Sequence, residues 1–286
     1  MYPGMTRAPP LNADLHSHST ISDGVLTPAE IAIRAHANGV GMWALTDHDE
    51  LSGLAEAGQA ARALGLRFIP GVEISVTWAN QTVHIVGLNI DPGNQALSGA
   101  LVGIRAGRMA RAKEIARRLE AQGIPGSLEG ALPYAANPES ISRTHFARFL
   151  IERGYCKNMQ MVFDKYLGDK KPAGVRVQWA KLDDAVDWIT GAGGRAVIAH
   201  PGRYTYSATQ YGALFDQFKQ SGGEGIEVIT GSHTPDQYRQ YAVIARQYGF
   251  LASRGSDFHS PTESRIDLGG LPSLPADLTP VWHDWG

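Results

Sequence analysis

Short apolar segments alternate with amphipathic segments along much of this chain. The apolar runs at residues 42–46, 195–199 and 225–229 have the length and flanking turn residues of buried strands. Residues 27–38 open with Thr-Pro-Ala-Glu and close with Asn-Gly, which are start and stop signals of a helix. The same reading predicts strands at 12–18, 67–76, 82–90 and 250–254, and helices at 52–64, 183–190, 211–220 and 235–248.

Repeated strand–helix units predict a parallel α/β fold, and about seven strands in succession favour a barrel over a small open sheet. The middle of the chain differs, because residues 97–181 show helical periodicity and no convincing strand. A long helix is predicted there at 100–122. We therefore expect a flexible leader at 1–10, a barrel formed by 11–99 and 182–286, and an inserted helical subdomain at 100–181 that binds substrate.

Composition narrows the function classes. The 286 residues include 26 basic and 28 acidic ones, a net charge of −2, which argues against a protein that coats duplex DNA. No apolar run is long enough to cross a membrane, and no secretory signal opens the chain, so a cytoplasmic location is expected. The chain has one cysteine and 10 histidines. Any metal must therefore be held by imidazole and carboxylate groups.

Candidate metal ligands follow the predicted strands. The C-terminal ends of parallel strands form the active site of α/β barrels, and most of the histidines fall at such ends. Nine residues stand out: His16, His18, Asp23, His48, Glu73, His84, His200, Asp257 and His259. Nine ligands are too many for one ion, since a catalytic ion takes three or four from the protein. They suit two or three ions of manganese, iron or zinc, with a carboxylate such as Glu73 as a bridge.

Each of these residues also has an ordinary interpretation. A lone histidine such as His84 is usually a satisfied core residue, and Asp23-Gly24 is usually a turn. The coincidence of all nine at strand ends favours the metal interpretation. His36 and His283 receive no role, and Cys156 is interpreted as a small buried hydrophobe.

The motifs resemble those of the PHP (polymerase and histidinol phosphatase) family. They are Asp-Leu-His-Ser-His-Ser at 14–19, Ser-Asp-Gly at 22–24, Thr-Asp-His-Asp at 46–49, Gly-Val-Glu at 71–73, His84, Ala-His-Pro at 199–201 and Gly-Ser-Asp-Phe-His at 255–259. The resemblance extends over residues 12–268. Asp23, where many relatives have histidine, and Ser-Arg-Thr-His-Phe-Ala-Arg at 142–148 point to the branch of nucleoside 3′,5′-bisphosphate phosphatases and the exoribonuclease RNase AM. Thr144 departs from that branch's usual Arg-Pro-His.

The resemblance implies a distorted seven-stranded (β/α) barrel with three divalent ions. Manganese is the ion expected in this family, with zinc and iron as alternatives. By carry-over, the first ion would be held by His16, His18, Glu73 and Asp257, the second by Glu73, His84 and His200, and the third by Asp23, His48 and His259.

The expected activity is metal-dependent phosphoester hydrolysis, because a water between two divalent ions ionises near neutral pH. His16, His18, Glu73 and Asp257 would form the catalytic centre. Asp47, Asp49 and His233 are alternatives for the group that protonates the leaving oxygen. The expected substrate contacts are Ser142, Arg143, His145, Arg203 and Asp49, with Arg143 placed at a helix start that suits a second phosphate.

The expected substrate is a nucleoside 3′,5′-bisphosphate, or a short 5′-phosphorylated RNA that is trimmed from its 5′ end. Stable duplex DNA binding and a membrane partner are not expected, and the oligomeric state is left open. Six cations lie between Arg105 and Arg118; they are interpreted as a solvated helix face, with a path for an oligonucleotide as the alternative. Other functions considered are a histidinol-phosphate phosphatase, an amidohydrolase-type deaminase and a non-catalytic PHP accessory domain.

Overall fold

The computed structural model describes residues 11–285, so the predicted leader at 1–10 lies outside the described residues. Seven strands form one sheet in chain order. They are β1 (Ala13–Asp14), β2 (Met42–Leu45), β3 (Arg67–Trp78), β4 (Gln81–Leu88), β5 (Arg195–Ile198), β6 (Gly225–Thr230) and β7 (Leu251–Gly255). All seven predicted strands are present, although β1 is much shorter than the predicted 12–18.

The expectation of an all-parallel sheet is wrong at β4. Strands β1, β2 and β3 pair in parallel, as do β5, β6 and β7, but β4 runs antiparallel to both of its neighbours. The cause is local, because only Ala79 and Asn80 connect β3 to β4, and both have positive φ values, 45° and 61°. Two residues allow a tight hairpin, whereas a parallel crossover needs about a dozen.

The two ends of the sheet approach each other and nearly close a barrel. The Leu15 amide donates to the carbonyl oxygen of Arg254 over 2.9 Å, and the Asp257 amide donates to that of His16 over 2.9 Å. Glycine is required at position 255, since a Cβ there would lie 2.3 Å from the Cβ of His16. The distorted seven-stranded barrel is thereby confirmed.

Ten α-helices accompany the described strands. They are α1 (Pro28–Ala37), α2 (Leu54–Leu64), α3 (Gln95–Ala106), α4 (Arg108–Glu120), α5 (Ser127–Ala131), α6 (Arg143–Glu152), α7 (Met159–Val162), α8 (Leu182–Gly191), α9 (Ala208–Gln220) and α10 (Pro235–Tyr248). The Thr27–Glu30 capping box starts α1 as predicted. The single long helix at 100–122 is wrong, because Gly107 divides it into α3 and α4.

The apolar residues form separate clusters. The largest lies between the strands and the helices that flank them, and a smaller one fills the barrel interior around Leu15, Val86 and Val197. A third cluster, between Ala112 and Val175, belongs to the middle of the chain. No strand forms between β4 and β5 in the described chain. The division at 99/100 and 181/182 stays a prediction.

Each helix formed by residues 11–285 is either too short or too polar to span a bilayer.

Candidate metal centre and anion-binding wall

Strand ends from around the barrel bring the nine predicted ligands to one place. His16 and His18 follow β1, His48 follows β2, and Asp257 and His259 follow β7. Strand β4 runs the opposite way, so a residue near its start belongs to the same end of the barrel. For this reason His84, paired in register with Ser75 of β3, joins the others.

Glu73 lies at the centre of the cluster and is fully buried. Its carboxylate oxygens lie near five ring nitrogens: 2.9 Å from His84 Nδ1, His200 Nε2 and His48 Nδ1, 3.3 Å from His18 Nε2 and 3.4 Å from His16 Nε2. A single carboxylate thus contacts five imidazoles from four other segments of the chain. This position is suited to a ligand shared between ions.

The nine residues fall into overlapping groups whose ligand atoms lie within 4.8 Å of one another. These groups are His18–Asp23–His48–His259, His16–Glu73–His200, His16–His18–Asp257 and His48–Glu73–His84. The grouping differs in detail from the three sets implied by the family resemblance, since His18 also approaches the Asp23 group and His48 also approaches His84. Each group contains imidazole and carboxylate ligands in the mixture that manganese, iron and zinc accept.

Buried carboxylate oxygens in this cluster lack hydrogen-bond partners. Glu73 Oε2 and Asp23 Oδ1 are both enclosed and make no hydrogen bond of acceptable geometry. A buried polar atom without a partner costs about 1–3 kcal/mol, and more when it is charged. His16 Nε2 and His18 Nε2 also face each other at 3.1 Å. These atoms fit divalent cations, which would accept electron pairs from all four.

The electrostatics of the cluster are strongly perturbed. Burial opposes ionisation of Glu73, but His84, His48 and His16 outweigh it and hold the pKa of Glu73 well below its usual range. Burial, together with nearby Arg203, lowers the pKa of His200 to about 3. Ionised Glu73 and neutral His200 are already in the protonation states that metal binding needs. Burial opposes the charge on His16 and His18, but the neighbouring carboxylates outweigh it and raise the pKa of His16 and, to about 10, that of His18, so a metal would displace protons from these two rings.

One wall of the adjoining cavity carries three arginines. Arg108, Arg111 and Arg143 line the same cavity as Asp23, His48, Glu73, His84, Asp257 and His259. The Arg108 and Arg111 guanidinium groups lie 5.1 and 5.2 Å from the centre of the Trp179 ring, which also lines the cavity. The cavity therefore has a carboxylate–imidazole side and a guanidinium side.

Positive charge on this wall is only partly balanced. Arg108 pairs with Asp49, and Arg143 pairs with Asp169 over 2.7 Å. Arg111 donates Nε–H to the carbonyl oxygen of Val175. Burial, with Arg143 and Arg108 nearby, lowers the pKa of Arg111 to about 9, so it stays charged at neutral pH. An anion would relieve this repulsion.

Arg108 and Arg111 were not predicted as cavity residues, because their run of cations was interpreted as a solvated helix face. Their spacing of three residues was the available signal, but it did not show which way α4 faces. The basic cluster also has internal partners, because Arg117 and Arg118 both bind Glu114 and Arg105 approaches Glu50 at 3.2 Å. The cluster is therefore neither a uniform solvated face nor an unpaired basic path.

Three of the expected substrate contacts line the cavity: Ser142, Arg143 and Arg203. Ser142 Oγ donates to Asp23 Oδ2 over 3.0 Å, and Arg203 pairs with Asp257 over 3.0 Å. Both contacts hold a candidate ligand from outside the cluster. Arg143 begins α6, whose first turn is capped by Ser142.

Four other predicted residues have different positions, and none lines this cavity. Asp47 accepts hydrogen bonds from the Ser19 amide and the Ser19 and Ser22 hydroxyls, so both its oxygens are occupied. Asp49 is fully buried against Arg108 and Ser75. Asp47 thereby connects the loop after β1 to the loop after β2, and Asp49 connects the latter to Ser75 of β3; a direct role of either carboxylate on substrate stays a prediction.

The two histidines are also turned elsewhere. His233 accepts from the Gly202 amide over 2.9 Å and stacks on Tyr241, so it supports the turn after β5. His145 accepts from the Ser142 amide over 3.0 Å and completes the cap of α6. Burial lowers the pKa of each to about 4. A residue that follows a strand end need not face the site.

Known proteins give an independent comparison. The PHP domain family matches residues 14–98. A 3′,5′-nucleoside bisphosphate phosphatase of Chromobacterium violaceum is 51% identical over 273 residues, which cover 96% of each chain. The 5′-3′ exoribonuclease Rnm of Salmonella typhimurium is 44% identical over 274 residues, 95% of this chain and 93% of the relative.

A solved structure from Bifidobacterium adolescentis, described as a metal-dependent phosphoesterase, superposes with a TM-score of 0.81 at 28% identity. The superposition covers 95% of this chain and 93% of the other. The similarity thus extends through the helical middle of the chain as well as the barrel. With the barrel, the strand-end cluster of imidazoles and carboxylates, and relatives that match over nearly their whole length, the chain belongs to the PHP family.

Proposed function

We propose that this protein removes the 3′-phosphate from nucleoside 3′,5′-bisphosphates and releases the first nucleotide from short 5′-phosphorylated RNA. One observation carries the proposal: one cavity is lined both by the guanidinium wall and by members of the carboxylate–imidazole cluster. A substrate with two phosphates a ribose apart matches two such centres. The named activities of the two curated relatives support the same substrate class.

The nine residues would hold up to three divalent ions, with manganese as the proposed metal. Glu73 would be shared between ions, His16, His18 and Asp257 would hold one of them, and Asp23 with His259 would hold another. When bound, such ions supply an ionised water at neutral pH and neutralise charge at phosphorus. The unpartnered oxygens of Glu73 and Asp23 support this assignment.

The remaining residues position the substrate. Arg111 and Arg143 would bind the remote 5′-phosphate, since guanidinium groups form paired, charge-assisted hydrogen bonds with phosphate oxygens. Ser142 and Arg203 would keep Asp23 and Asp257 in place through their 3.0 Å contacts. Because the scissile phosphate must lie at the cluster while the other lies at the arginines, the enzyme would select the reacting phosphate by distance.

The same geometry argues against histidinol phosphate as substrate. Its ammonium group would face the Arg108–Arg111–Arg143 wall and be repelled. A cytoplasmic location is part of the proposal, supported by a single cysteine, Cys156, which leaves no disulfide framework.

Turnover assays test the proposal. We expect the purified protein, loaded with Mn²⁺, to release phosphate from adenosine 3′,5′-bisphosphate with a kcat/KM at least tenfold above that for adenosine 3′-monophosphate, and to be inactive in EDTA. A 5′-phosphorylated RNA trimer should be degraded faster than its 5′-hydroxyl counterpart. Equal kcat/KM values for the two adenosine substrates would contradict recognition of a second phosphate.

A further inference from the structure

A buried carboxylate beneath the ligand cluster has no role in the site described so far. Glu227, on β6, is 1% exposed and is not among the residues that line the cavity. Leu15, Val86 and Val197 belong to the apolar cluster that fills the barrel interior. A buried carboxylate is costly unless its oxygens are hydrogen-bonded, so the presence of Glu227 at this depth needs an explanation.

Both oxygens of Glu227 are bonded to parts of predicted ligands. Oε1 lies 2.8 Å from His16 Nδ1, and Oε2 accepts the main-chain N–H of His200 over 2.5 Å. The first contact fixes the ring of His16, because the nitrogen that donates to the carboxylate is the one remote from the cluster. His16 Nε2 is thereby directed towards Glu73 Oε2, 3.4 Å away, and Asp257 Oδ1, 3.5 Å away.

The second contact holds an unusual backbone. His200 has φ 29° and ψ 56°, a left-handed conformation that is costly for a residue with a side chain. Acceptance of its N–H by Glu227 stabilises this conformation. His200 Nε2 then lies 2.9 Å from Glu73 Oε1. One carboxylate therefore supports two members of the same group, His16–Glu73–His200.

The strand itself is adapted at this point. The pairing of β6 with β7 passes from Glu227–Ser253 to Ile229–Arg254, so Val228 is an extra residue on the β6 side. Bulges of this kind redirect side chains near functional sites. Here the bulge immediately follows the residue whose side chain enters the barrel beneath the ligands.

We propose that Glu227 is a positioning residue that orients the ring of His16 and the backbone of His200 for one of the metal sites. It touches neither substrate nor ion, and acts through the two histidines. The inference rests on the proposed metal centre for its consequence. Carboxylate–histidine–metal arrangements of this type commonly raise metal affinity by about 10- to 100-fold.

Metal titration with Glu227→Gln and Glu227→Leu tests the proposal. Gln keeps the shape and can still accept from His16, but its amide N–H₂ would face the His200 N–H; Leu removes both contacts. We expect isothermal titration of the metal-free chain with Mn²⁺ to show one site weakened by about 10- to 100-fold in Glu227→Gln and at least as much in Glu227→Leu. Unchanged affinity at every site in both folded variants would overturn the proposal.

Asp14→Asn is the matched control. Asp14 is also a fully buried barrel carboxylate, but it accepts from the Ser256 and Gly269 amides and makes no hydrogen bond or ion pair with an imidazole within residues 11–285. It should lose thermal stability and keep its Mn²⁺ affinities. An equal loss of affinity in Asp14→Asn would show that any buried-carboxylate change weakens the site, and would overturn the specific role of Glu227.

Proton NMR of the metal-free protein separates this inference from the proposed function. A downfield, slowly exchanging ring N–H resonance of His16 should be present in the wild type and in Asp14→Asn, and absent in Glu227→Leu. This result would support the positioning contact even if Mn²⁺ failed to bind and the proposed function were wrong. A resonance that persists in Glu227→Leu would overturn it.

Discussion

Replacing Arg111 by methionine should reduce substrate selectivity while making the free protein more stable. The guanidinium of Arg111 lies close to those of Arg143 and Arg108, and burial together with these two neighbours lowers its pKa to about 9. A base whose pKa is lower in the folded state than in the unfolded chain costs the fold free energy at any pH below the folded value. Methionine removes that cost and keeps much of the volume.

The stability change expected for Arg111→Met follows from the pKa shift and from the contacts that the substitution removes. At about 1.4 kcal/mol per pKa unit, the repulsion and burial could cost up to about 5 kcal/mol. Solvent screening at the partly exposed guanidinium reduces this figure to roughly half. The variant also loses the bond to Val175 and the contact with Trp179, worth about 1–2 kcal/mol together. We therefore expect a net gain of about 1 kcal/mol, or a few degrees in Tm.

Catalysis should move in the opposite direction. A charge-assisted hydrogen bond to phosphate is worth about 1.5–3 kcal/mol, so kcat/KM for adenosine 3′,5′-bisphosphate should fall about 10- to 150-fold. The value for adenosine 3′-monophosphate should change less than threefold. Arg117→Met is the control, since Arg117 belongs to the same helix, is 68% exposed and pairs with Glu114. It should leave both values unchanged.

The comparison of the two substrates decides the matter. An equal fall for both in Arg111→Met would mean that Arg111 supports the cluster rather than a second phosphate. A fall in Tm of several degrees would refute the argument that its charge is held at a cost.

Three further outcomes follow from contacts and pKa shifts elsewhere. Arg148→Ala removes the pair with Glu263 and the bond to the carbonyl oxygen of Asp23. Urea titrations should show a loss of about 2–3 kcal/mol in unfolding free energy. A loss below about 0.5 kcal/mol, as for a surface substitution, would contradict the importance of these contacts. Burial lowers the pKa of His233 in the folded protein to about 4, whereas the same side chain in the unfolded chain binds a proton below about pH 6.5. Because the unfolded state binds this proton first, the free energy of unfolding decreases as the pH drops. His233→Gln should remove about 2 kcal/mol of that fall between pH 7.5 and 5, and an identical pH dependence in the two proteins would refute it. Chelation of the wild type with EDTA should abolish phosphate release, Mn²⁺ should restore it, and turnover that survives chelation would contradict the metal centre.

Strand number and order were predictable because strand-forming runs are short, apolar and bounded by turn residues. Strand direction was missed at β4, although the signal was present. The predicted strands at 67–76 and 82–90 leave too few residues between them for a crossover helix, and the pair therefore had to be a hairpin. The short connection predicts that β4 runs antiparallel to β3, and this direction places His84, near the start of β4, at the ligand end of the barrel.

The position of a residue just after a strand predicted which end of the barrel the residue lies at. It did not predict whether the side chain points into the cluster or away from it. His200 faces Glu73, whereas His233, which also follows a strand, packs under a neighbouring turn. The difference depends on partners far apart in the chain, such as Gly202 and Tyr241 for His233. A single sequence does not encode those partners as a local pattern.

The side of helices α3 and α4 that faces the rest of the protein was also not predicted from the sequence. Gly107 divides the run into α3 and α4, yet Arg105 on α3 and Arg108 on α4 both bond to Asp49. The helical periodicity places positions 105, 108 and 111 on one side of the helix. These arginines were interpreted as solvent-exposed because the sequence does not show which residue packs against them. Trp179, about 70 residues later, packs against that side.

The separate apolar core between Ala112 and Val175 has a consequence for how this enzyme could be altered over evolutionary time. Arg111 and Arg143, which we expect to choose the substrate, are carried by helices packed on that core, while the imidazoles that we expect to drive hydrolysis are fixed in the barrel. Selection could therefore change what is recognised by rebuilding one stretch of the gene. The chemistry, encoded before and after it, would be inherited intact.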